Sequence, residues 1–313
     1  MTEIVISTSS FDLDDNPTID KLRAAGLAVT CNPFGRKLTE TEIGELLSKS
    51  VVGLLAGVEP LTAKVIAAAP GLRVISRCGV GLDNVDQAAT RDRGICLLST
   101  PDAPVDAVVE MTMGLMLAAL RQIPAADRQL RDGGWPRLKG RLLKAQTVGV
   151  LGLGRIGTRV AGLCAAFGAR VIAHDAQVTQ SAAVVEPVSL QELLAQSDIV
   201  SLHIPYDRTT HHIIGEETLA NMKPGAMLIN TARGNLVDER ALLGALKSGR
   251  LAGAGLDVFE TEPYSGALCD LPQVVLTPHL ASSATETRRE MEQEAARNLY
   301  QGLLEAGVIQ GGD

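Results

Sequence analysis

The stretch Val148-Gly149-Val150-Leu151-Gly152-Leu153-Gly154-Arg155-Ile156-Gly157 decides how the rest of the chain is read. An apolar run enters a glycine-rich turn, and an amphipathic segment leaves it. In such a turn the first glycine permits the tight bend. The second lets backbone approach a pyrophosphate, and the third lets the following helix pack on the strand. The helix start adds unpaired N–H groups and partial positive charge, which suit phosphates. Asp175 follows 18 residues after Gly157, just past the next apolar run. A carboxylate there accepts hydrogen bonds from ribose hydroxyls and repels a 2′-phosphate. Ala176-Gln177-Val178, directly after it, contains no arginine to neutralise such a phosphate. Strand, glycine turn, helix and acid in this order predict a dinucleotide site that takes NAD rather than NADP.

Working outward, short apolar runs alternate with helical patterns on both sides of this turn. Upstream, strands are expected at Ile4–Ile6, Leu27–Val29, Val51–Leu55, Leu72–Ser76 and Ile95–Leu98. Helices between them end at Gly26, at Pro70-Gly71 and at Gly94. A second series runs through Thr147–Leu151, Arg170–Ala173, Asp198–Leu202, Ala226–Ile229, Ala254–Val258 and Val274–Leu276. Ile156, Val160, Leu163 and Phe167 share one helix face. Ser189 with Glu192 forms a capping-box pattern, and Asp238 can cap the helix that ends at Gly249. Strand and helix in alternation imply parallel sheets with crossover helices, an α/β architecture. Long helical patterns at about 105–122 and 285–305 flank the second series. They are expected to cross between two domains, with the second domain inserted into the first. Met111, Met113 and Met116 on the first of these read as core or subunit contact.

Length and composition agree with two globular domains, at about 100–200 residues each for a chain of 313. Lys and Arg number 29 against 36 Asp and Glu, a net charge of −7, and aromatics are 3%. That balance argues against nucleic-acid and acidic-membrane partners. The apolar run near Met111–Leu120 is too short to span a bilayer. The N-terminus shows no basic segment followed by an apolar one. Five scattered cysteines without a Cys-x-x-Cys pair point to a reduced, cytoplasmic chain with no metal site.

Three further segments follow strands of the second series: Asn230–Gly234, Asp257–Pro263 and Thr277–His279. Ligands of open α/β sheets sit outside the carboxyl ends of the strands, so Arg233, Glu262 and His279 are expected to converge there. An arginine fork holds a carboxylate bidentately. A histidine exchanges a proton near neutral pH, and a carboxylate beside it stabilises the imidazolium and fixes its orientation. Together they suit interconversion of a 2-hydroxy acid and a 2-keto acid. Singly, each has a plainer reading: a surface salt bridge, a solvated acid, and a capping or core histidine. His203, with Pro205 and Thr209, also follows a strand and is expected to line the cofactor site. His211-His212 is expected to be solvent-exposed, because consecutive residues of a helix or strand point different ways.

These motifs, with Arg77-Cys78-Gly79-Val80-Gly81-Leu82-Asp83-Asn84-Val85-Asp86 and His203-Ile204-Pro205, occur in order over nearly the whole chain. As a set they resemble the NAD-dependent D-2-hydroxyacid dehydrogenases, most closely the 3-phosphoglycerate dehydrogenase branch. The resemblance implies two doubly wound parallel-sheet domains. A Rossmann cofactor domain over 100–282 would be inserted into a flavodoxin-like substrate domain formed by 1–99 and 283–313. It implies a cleft that closes on substrate and a homodimer built mainly from cofactor domains. By that resemblance Arg233 binds substrate, Glu262 is its acidic partner and His279 the proton donor. Backbone N–H groups of Val80 and Gly81 would hold the substrate carboxylate. Gly152, Gly154, Arg155, Ile156, Gly157, Asp175, His203, Pro205, Thr209, Thr231, Ala232 and Asp257 would contact NAD.

The implied activity is NAD-dependent oxidoreduction of a D-2-hydroxy acid, 3-phosphoglycerate-like in the first instance. The chain departs from that branch after the third strand. There Leu55-Ala56-Gly57-Val58-Glu59 lacks the basic residue that helps hold a phosphate. Arg77, Arg137, Lys139 and Arg141 are the candidate substitutes. The alternative is a glyoxylate, hydroxypyruvate or phosphonate keto-acid reductase. An alternative of another class is an NAD-sensing interaction protein like the co-repressors of this fold. The sequence ends without the serine-sensing domains of some relatives, so serine is expected not to inhibit.

Overall fold

Parallel strands cannot be joined by tight hairpins, so a chain that builds parallel sheets must supply crossover helices. This chain does so twice. The computed structural model describes residues 2–14, 16–47, 49–135, 137–176 and 185–310, so Gln177 and Val178 lie outside the described residues. The chain divides into one unit of Met1–Pro104 with Ala284–Asp313 and a second of Val105–Ser283.

In the first unit the elements run β1 (Glu3–Ile6), α1 (Pro17–Ala24), β2 (Ala28–Cys31), α2 (Glu40–Leu46) and β3 (Val51–Ala56). They continue with α3 (Ala63–Ala68), β4 (Val74–Arg77), α4 (Gln87–Asp92) and β5 (Cys96–Ser99). Among the described residues they form a five-stranded parallel sheet of order β2-β1-β3-β4-β5, the flavodoxin-like arrangement. Both faces are covered. Val5, Leu54 and Ile75 point into one core, while Ile4, Ile6, Leu55 and Val74 point into the other. Such strands read as continuous apolar runs because neither face meets water.

The second unit runs α5 (Val105–Arg121), α6 (Ile123–Arg131), β6 (Thr147–Leu151), α7 (Arg155–Ala166), β7 (Arg170–His174) and β8 (Glu186–Pro187). It continues α8 (Leu190–Gln196), β9 (Ile199–Leu202), α9 (Glu216–Asn221), β10 (Ala226–Asn230), α10 (Glu239–Lys247), β11 (Leu251–Leu256) and β12 (Val274–Leu276). Its parallel sheet has the order β12-β11-β10-β9-β6-β7-β8 among the described residues. The order reverses between β6 and β9, the switch point at which doubly wound sheets bind nucleotides. Finally α11 (Thr285–Glu305) packs on β3, β4 and β5 of the first sheet, where the Ser76 hydroxyl donates to Ala295 O at 2.8 Å.

Three expectations need correction, and two elements, α2 and β8, were not foreseen. The long helices do not both act as crossings: α5 belongs to the second unit and α11 to the first. The helix α2, capped by a reciprocal Thr39–Glu42 box, and the two-residue β8 lack the long apolar runs that marked other elements. The strand expected at Ala254–Val258 is β11 at Leu251–Leu256, so Asp257 and Val258 already belong to the loop. On α7 the buried face is Gly157, Val160, Ala161 and Cys164, whereas Leu163 and Phe167 are 41% and 51% exposed. Small residues win that face because α7 packs closely on α5, where Cys164 Sγ sits 3.8 and 3.9 Å from the sulfurs of Met113 and Met116. Those two methionines are therefore core. Among the described residues no helix is long and apolar enough to cross a membrane.

Candidate active site

The glycine turn after β6 is shaped by what surrounds it. A Cβ on Gly152, whose φ is +99°, would come within 2.7 Å of the His203 backbone. A Cβ on Gly157 would overlap the carbonyl of Gly152. Gly154 differs: a Cβ there would meet nothing within 4 Å, so packing leaves this side of the turn open. Gly154 opens the 12-residue α7 with no side-chain cap, and its neighbours Arg155 and Ile156 are exposed and half-buried. Asp175 Oδ2 accepts from the N–H of Leu153 at 2.7 Å, tying the acid after β7 to the turn. An open helix start at the switch point, with a carboxylate beside it, fits the pyrophosphate and ribose of NAD.

The adjoining loop after β9 begins with His203. Its Nε2 lies 2.8 Å from the hydroxyl of Ser201, and burial pushes its pKa down to about 4. Pro205 is exposed, and its carbonyl accepts from the Thr210 hydroxyl at 3.1 Å. Asp207 Oδ1 accepts from both the N–H and the hydroxyl of Thr209, at 2.7 and 2.6 Å, and these bonds hold its carboxyl below the usual range. His211 and His212 do not diverge as expected. Their rings stack at 3.8 Å and 22°, because they lie in a turn where His212 adopts a left-handed φ of +51°. His211 is exposed, whereas His212 is half-buried. Among the described residues no group of three or more His, Cys, Asp or Glu side chains is placed to hold a metal ion.

The acid–base residues come from the next three strand ends. Asn230 closes β10: its side-chain nitrogen donates to Arg233 O at 2.8 Å, and its oxygen accepts from Ala232 N at 3.0 Å. This turn sets the start of Arg233, whose Nη1 donates to Ala232 O at 2.7 Å. Thr231 is turned inward, its hydroxyl 2.8 Å from that of Thr112 on α5. A Cβ on Gly234 would overlap the backbone of Phe259. Only a glycine therefore lets the Arg233 loop lie against the loop of Glu262.

Glu262 is held at both oxygens. Oε1 accepts from Phe259 N at 3.1 Å, and Oε2 lies 2.8 Å from Nδ1 of His279. A carboxylate only accepts, so Nδ1 carries a proton and Nε2 is the nitrogen left for proton exchange. His279 itself has φ +54°, a conformation that costs a non-glycine residue about 1 kcal/mol or more. Asp257 supplies what keeps it there. Its carbonyl accepts from His279 N at 2.8 Å. Its carboxylate accepts from the Thr277 hydroxyl and from the N–H groups of Leu280 and Ala281, at 2.5, 2.7 and 2.8 Å. Asp257 was expected among the cofactor contacts. It is 0% exposed and lies beneath the turn that presents His279. Sequence reading missed this supporting role and those of Thr277, Ser201 and Gly234; the pattern Asp257 followed 20 and 22 residues later by Thr277 and His279 was its trace.

In the first unit, the loop after β4 holds Val80 and Gly81. Gly79, at φ +138°, is clamped by Thr100, whose hydroxyl accepts its N–H at 2.7 Å and whose own N–H donates to its carbonyl at 3.0 Å. A Cβ on Gly79 would overlap the guanidinium of Arg77. Val80 is 44% exposed, and among the described residues no acceptor meets the N–H of Val80 or Gly81. Beside this loop, at the end of β3, Glu59 is 1% exposed and accepts from the Ser7 hydroxyl and from Gly57 N. Asn84 donates to Glu59 O at 2.7 Å, joining the two strand-end loops.

Comparison with known proteins places this arrangement. Residues 113–281 match the family described as D-isomer specific 2-hydroxyacid dehydrogenase, NAD binding domain. The chain is 44% identical over 256 residues to D-3-phosphoglycerate dehydrogenase of Mycobacterium bovis, an alignment covering 80% of this chain but 48% of that protein. It thus spans about half the length of the curated relatives of that kind. It is 39% identical over 272 residues to hydroxypyruvate reductase of Thermotoga maritima, covering 85% of this chain and 89% of that one. The crystal structure of a glyoxylate reductase from Paecilomyes thermophila superposes with a TM-score of 0.88 at 32% identity, over 98% of this chain and 96% of the other. On its sequence, fold and strand-end residues alike, the chain belongs to the D-isomer specific 2-hydroxyacid dehydrogenase family.

Proposed function

We propose that the chain is an NAD-dependent dehydrogenase that interconverts a D-2-hydroxy acid and its 2-keto acid. The observation that carries this reading is the Glu262–His279 contact of 2.8 Å on the sheet edge that also bears Arg233 and the glycine turn. The bound nicotinamide would supply or accept the hydride. Gly152, Gly154, Gly157, Arg155, Ile156 and Asp175 would hold the dinucleotide, with His203, Pro205, Thr209, Thr231 and Ala232 along its other side. Arg233 holds the substrate carboxylate as a fork. His279 gives a proton from Nε2 to the carbonyl oxygen in reduction and takes it back in oxidation. Glu262 keeps the ring oriented and balances its charge. Within the first unit, the N–H groups of Val80 and Gly81 would offer a pair of backbone donors to an anionic group.

The substrate is read as a short, unphosphorylated 2-keto acid of the glyoxylate or hydroxypyruvate kind. Glu59 supports this: it is a buried carboxylate whose neighbours are a hydroxyl and an N–H, beside the Val80–Gly81 loop. A phosphate dianion needs cationic donors instead. The 44% identity to phosphoglycerate dehydrogenase favours the second reading, a 3-phosphoglycerate-like substrate. NADH oxidation followed with glyoxylate, hydroxypyruvate, pyruvate and 3-phosphohydroxypyruvate decides, ranked by kcat/KM. Tight NADH binding with no turnover of any of them would replace the enzyme reading with that of an NAD sensor.

The partner is a second copy of the chain. Helix α6 buries none of its residues, and Ile123, Leu130, Trp135, Leu138 and Leu142 are 54, 54, 81, 39 and 55% exposed on this one segment of the cofactor unit. Exposed apolar surface of that density marks an interface. Light scattering should give the mass of a dimer for the native chain and of a monomer for Trp135→Glu. A monomeric native chain overturns this. The cysteines are free among the described residues, in keeping with a cytoplasmic location.

A further inference from the structure

The second unit holds two imidazoles on left-handed backbone, His212 at φ +51° and His279 at +54°. Non-glycine residues stay in that region only where their surroundings over-determine them. Both face carboxylates of one short segment: His279 meets Glu262, and His212 meets Glu260, with Nε2 2.8 Å from Oε1. The His279 pair belongs to the chemistry proposed above, but the His212 pair has no part in it.

Glu260 joins three loops. Its N–H donates to Glu239 Oε1 at 2.8 Å, and its own Oε1 accepts from Glu239 N at 3.2 Å, at the start of α10. One residue earlier, Phe259 N holds Glu262. On the other side, His212 N donates to Asn235 O at 2.9 Å, and Ile214 pairs with Val237 in a parallel bridge. The loop after β9, which carries His203, Pro205 and Thr209, is therefore fastened by backbone to the Arg233 loop and by one side-chain contact to the Glu262 segment.

That contact depends on charge. The buried Nε2 of His212 lies at ion-pair distance from Glu260 but makes no hydrogen bond of acceptable angle. A neutral ring gains little there, whereas an imidazolium gains a carboxylate partner. The groups facing the pair are Glu239 from α10, whose carboxyl burial and the nearby Glu260 and Glu262 push up, and His211 with Tyr206 from the loop itself.

We propose that His212 and Glu260 are a positioning pair that couples the cofactor-side loop to the segment carrying Glu262, and that the coupling tightens when His212 is protonated. This rests on the dehydrogenase reading only in naming the cofactor as the ligand of that loop. The test measures NADH affinity by fluorescence from pH 5.5 to 8.5, together with kcat and KM for the best keto acid, in native protein, His212→Asn and Glu260→Gln. Asparagine tolerates left-handed backbone, and glutamine keeps the acceptor for Glu239 N, so both variants retain the fold. Native protein should bind NADH about 2- to 5-fold more tightly at pH 5.5 than at pH 8.5, the reach of a half-exposed ion pair. Either variant should flatten that profile while kcat keeps its own pH dependence, which a merely structural loss would not do. Melting temperatures confirm that the variants are folded. Folded variants whose NADH affinity follows the native pH profile overturn the pair. Absence of turnover with every keto acid would instead strike the dehydrogenase reading and leave the binding arm standing.

Discussion

The carboxyl edges of the two sheets handle polar groups in opposite ways. In the second unit the edge presents side chains. His279 and Glu262 are 42% and 35% exposed, and each is fixed by a partner. In the first unit the polar side chains Glu59 and Thr100 are sunk, at 1% and 0% exposure, while Val80 is 44% exposed and no acceptor among the described residues meets the N–H of Val80 or Gly81. Under the proposed function, the second unit's edge would be the titrating one, which exchanges the proton, and the first unit's edge would offer main-chain N–H donors. Buried polar groups shape a loop rigidly when fully satisfied, and both edges use this: Asp257 beneath His279, and Thr100 beneath Gly79. The largest effect is expected from breaking the titrating edge. His279→Ala should lower kcat by about 10²- to 10⁴-fold and spare NADH affinity. A kcat close to native with a raised KM for NADH would move the proton donor elsewhere.

The same edge also holds an imidazole that stays neutral. His203 titrates at about 4 in the folded protein because of burial, against about 6.5 in the unfolded chain. Between those values the unfolded chain binds the extra proton, so stability falls as pH is lowered from 6.5 towards 4. The loss is at most about 3 kcal/mol, and less to the extent that water reaches the ring. Thermal melts at pH 6.5 and 4.5 should show a larger drop for native protein than for His203→Gln. Equal drops would mean that other groups govern acid stability.

How much of this was legible in the sequence follows from the range of the interactions. The strands of both sheets, the two-residue β8 apart, could be read because burial on two faces leaves continuous apolar runs such as Val51–Leu55 and Thr147–Leu151. The caps of α8 at Ser189 and of α10 at Asp238 could be read because capping is local. The meeting of Glu262 with His279 followed from strand order alone. The work of Asp257 could not be read. A buried carboxylate that props a turn and an exposed one that binds a ligand look the same in sequence, and only the three donors around it distinguish them. The burial of α7 was misjudged for a similar reason. Close packing on α5 favours Ala161 and Cys164 over larger neighbours, and that depends on a helix 51 residues earlier at the Cys164–Met113 contact. His211 and His212 were expected to diverge because regular backbone was assumed where the chain turns left-handed.

Asp175 tests how far the titrating edge also selects its cofactor. Its carboxylate takes the Leu153 N–H at 2.7 Å, so it shapes the glycine turn, and under the proposed function it would set the charge at the ribose position. Asp175→Ala should weaken NADH by about 10-fold, the worth of a charge-assisted hydrogen bond, and narrow the preference over NADPH. If the two cofactors keep their native affinity ratio, the selection lies elsewhere.

The smallest effect probes the recognising edge. Glu59 is buried among neutral donors, Ser7 and Gly57, and its charge acts on anything bound at the neighbouring Val80–Gly81 loop through a medium poorer in water than bulk. Glu59→Gln keeps an acceptor for both donors and removes the charge, so the loop should survive. A monoanionic keto acid should then be turned over much as before. A substrate bearing a further phosphate should gain about 3-fold in kcat/KM relative to hydroxypyruvate, since a dianion feels the removed charge more strongly. The ratio of the two kcat/KM values isolates that charge from any general loss, because damage to the loop lowers both. An unchanged ratio would show that the sunken carboxylate only braces the first sheet.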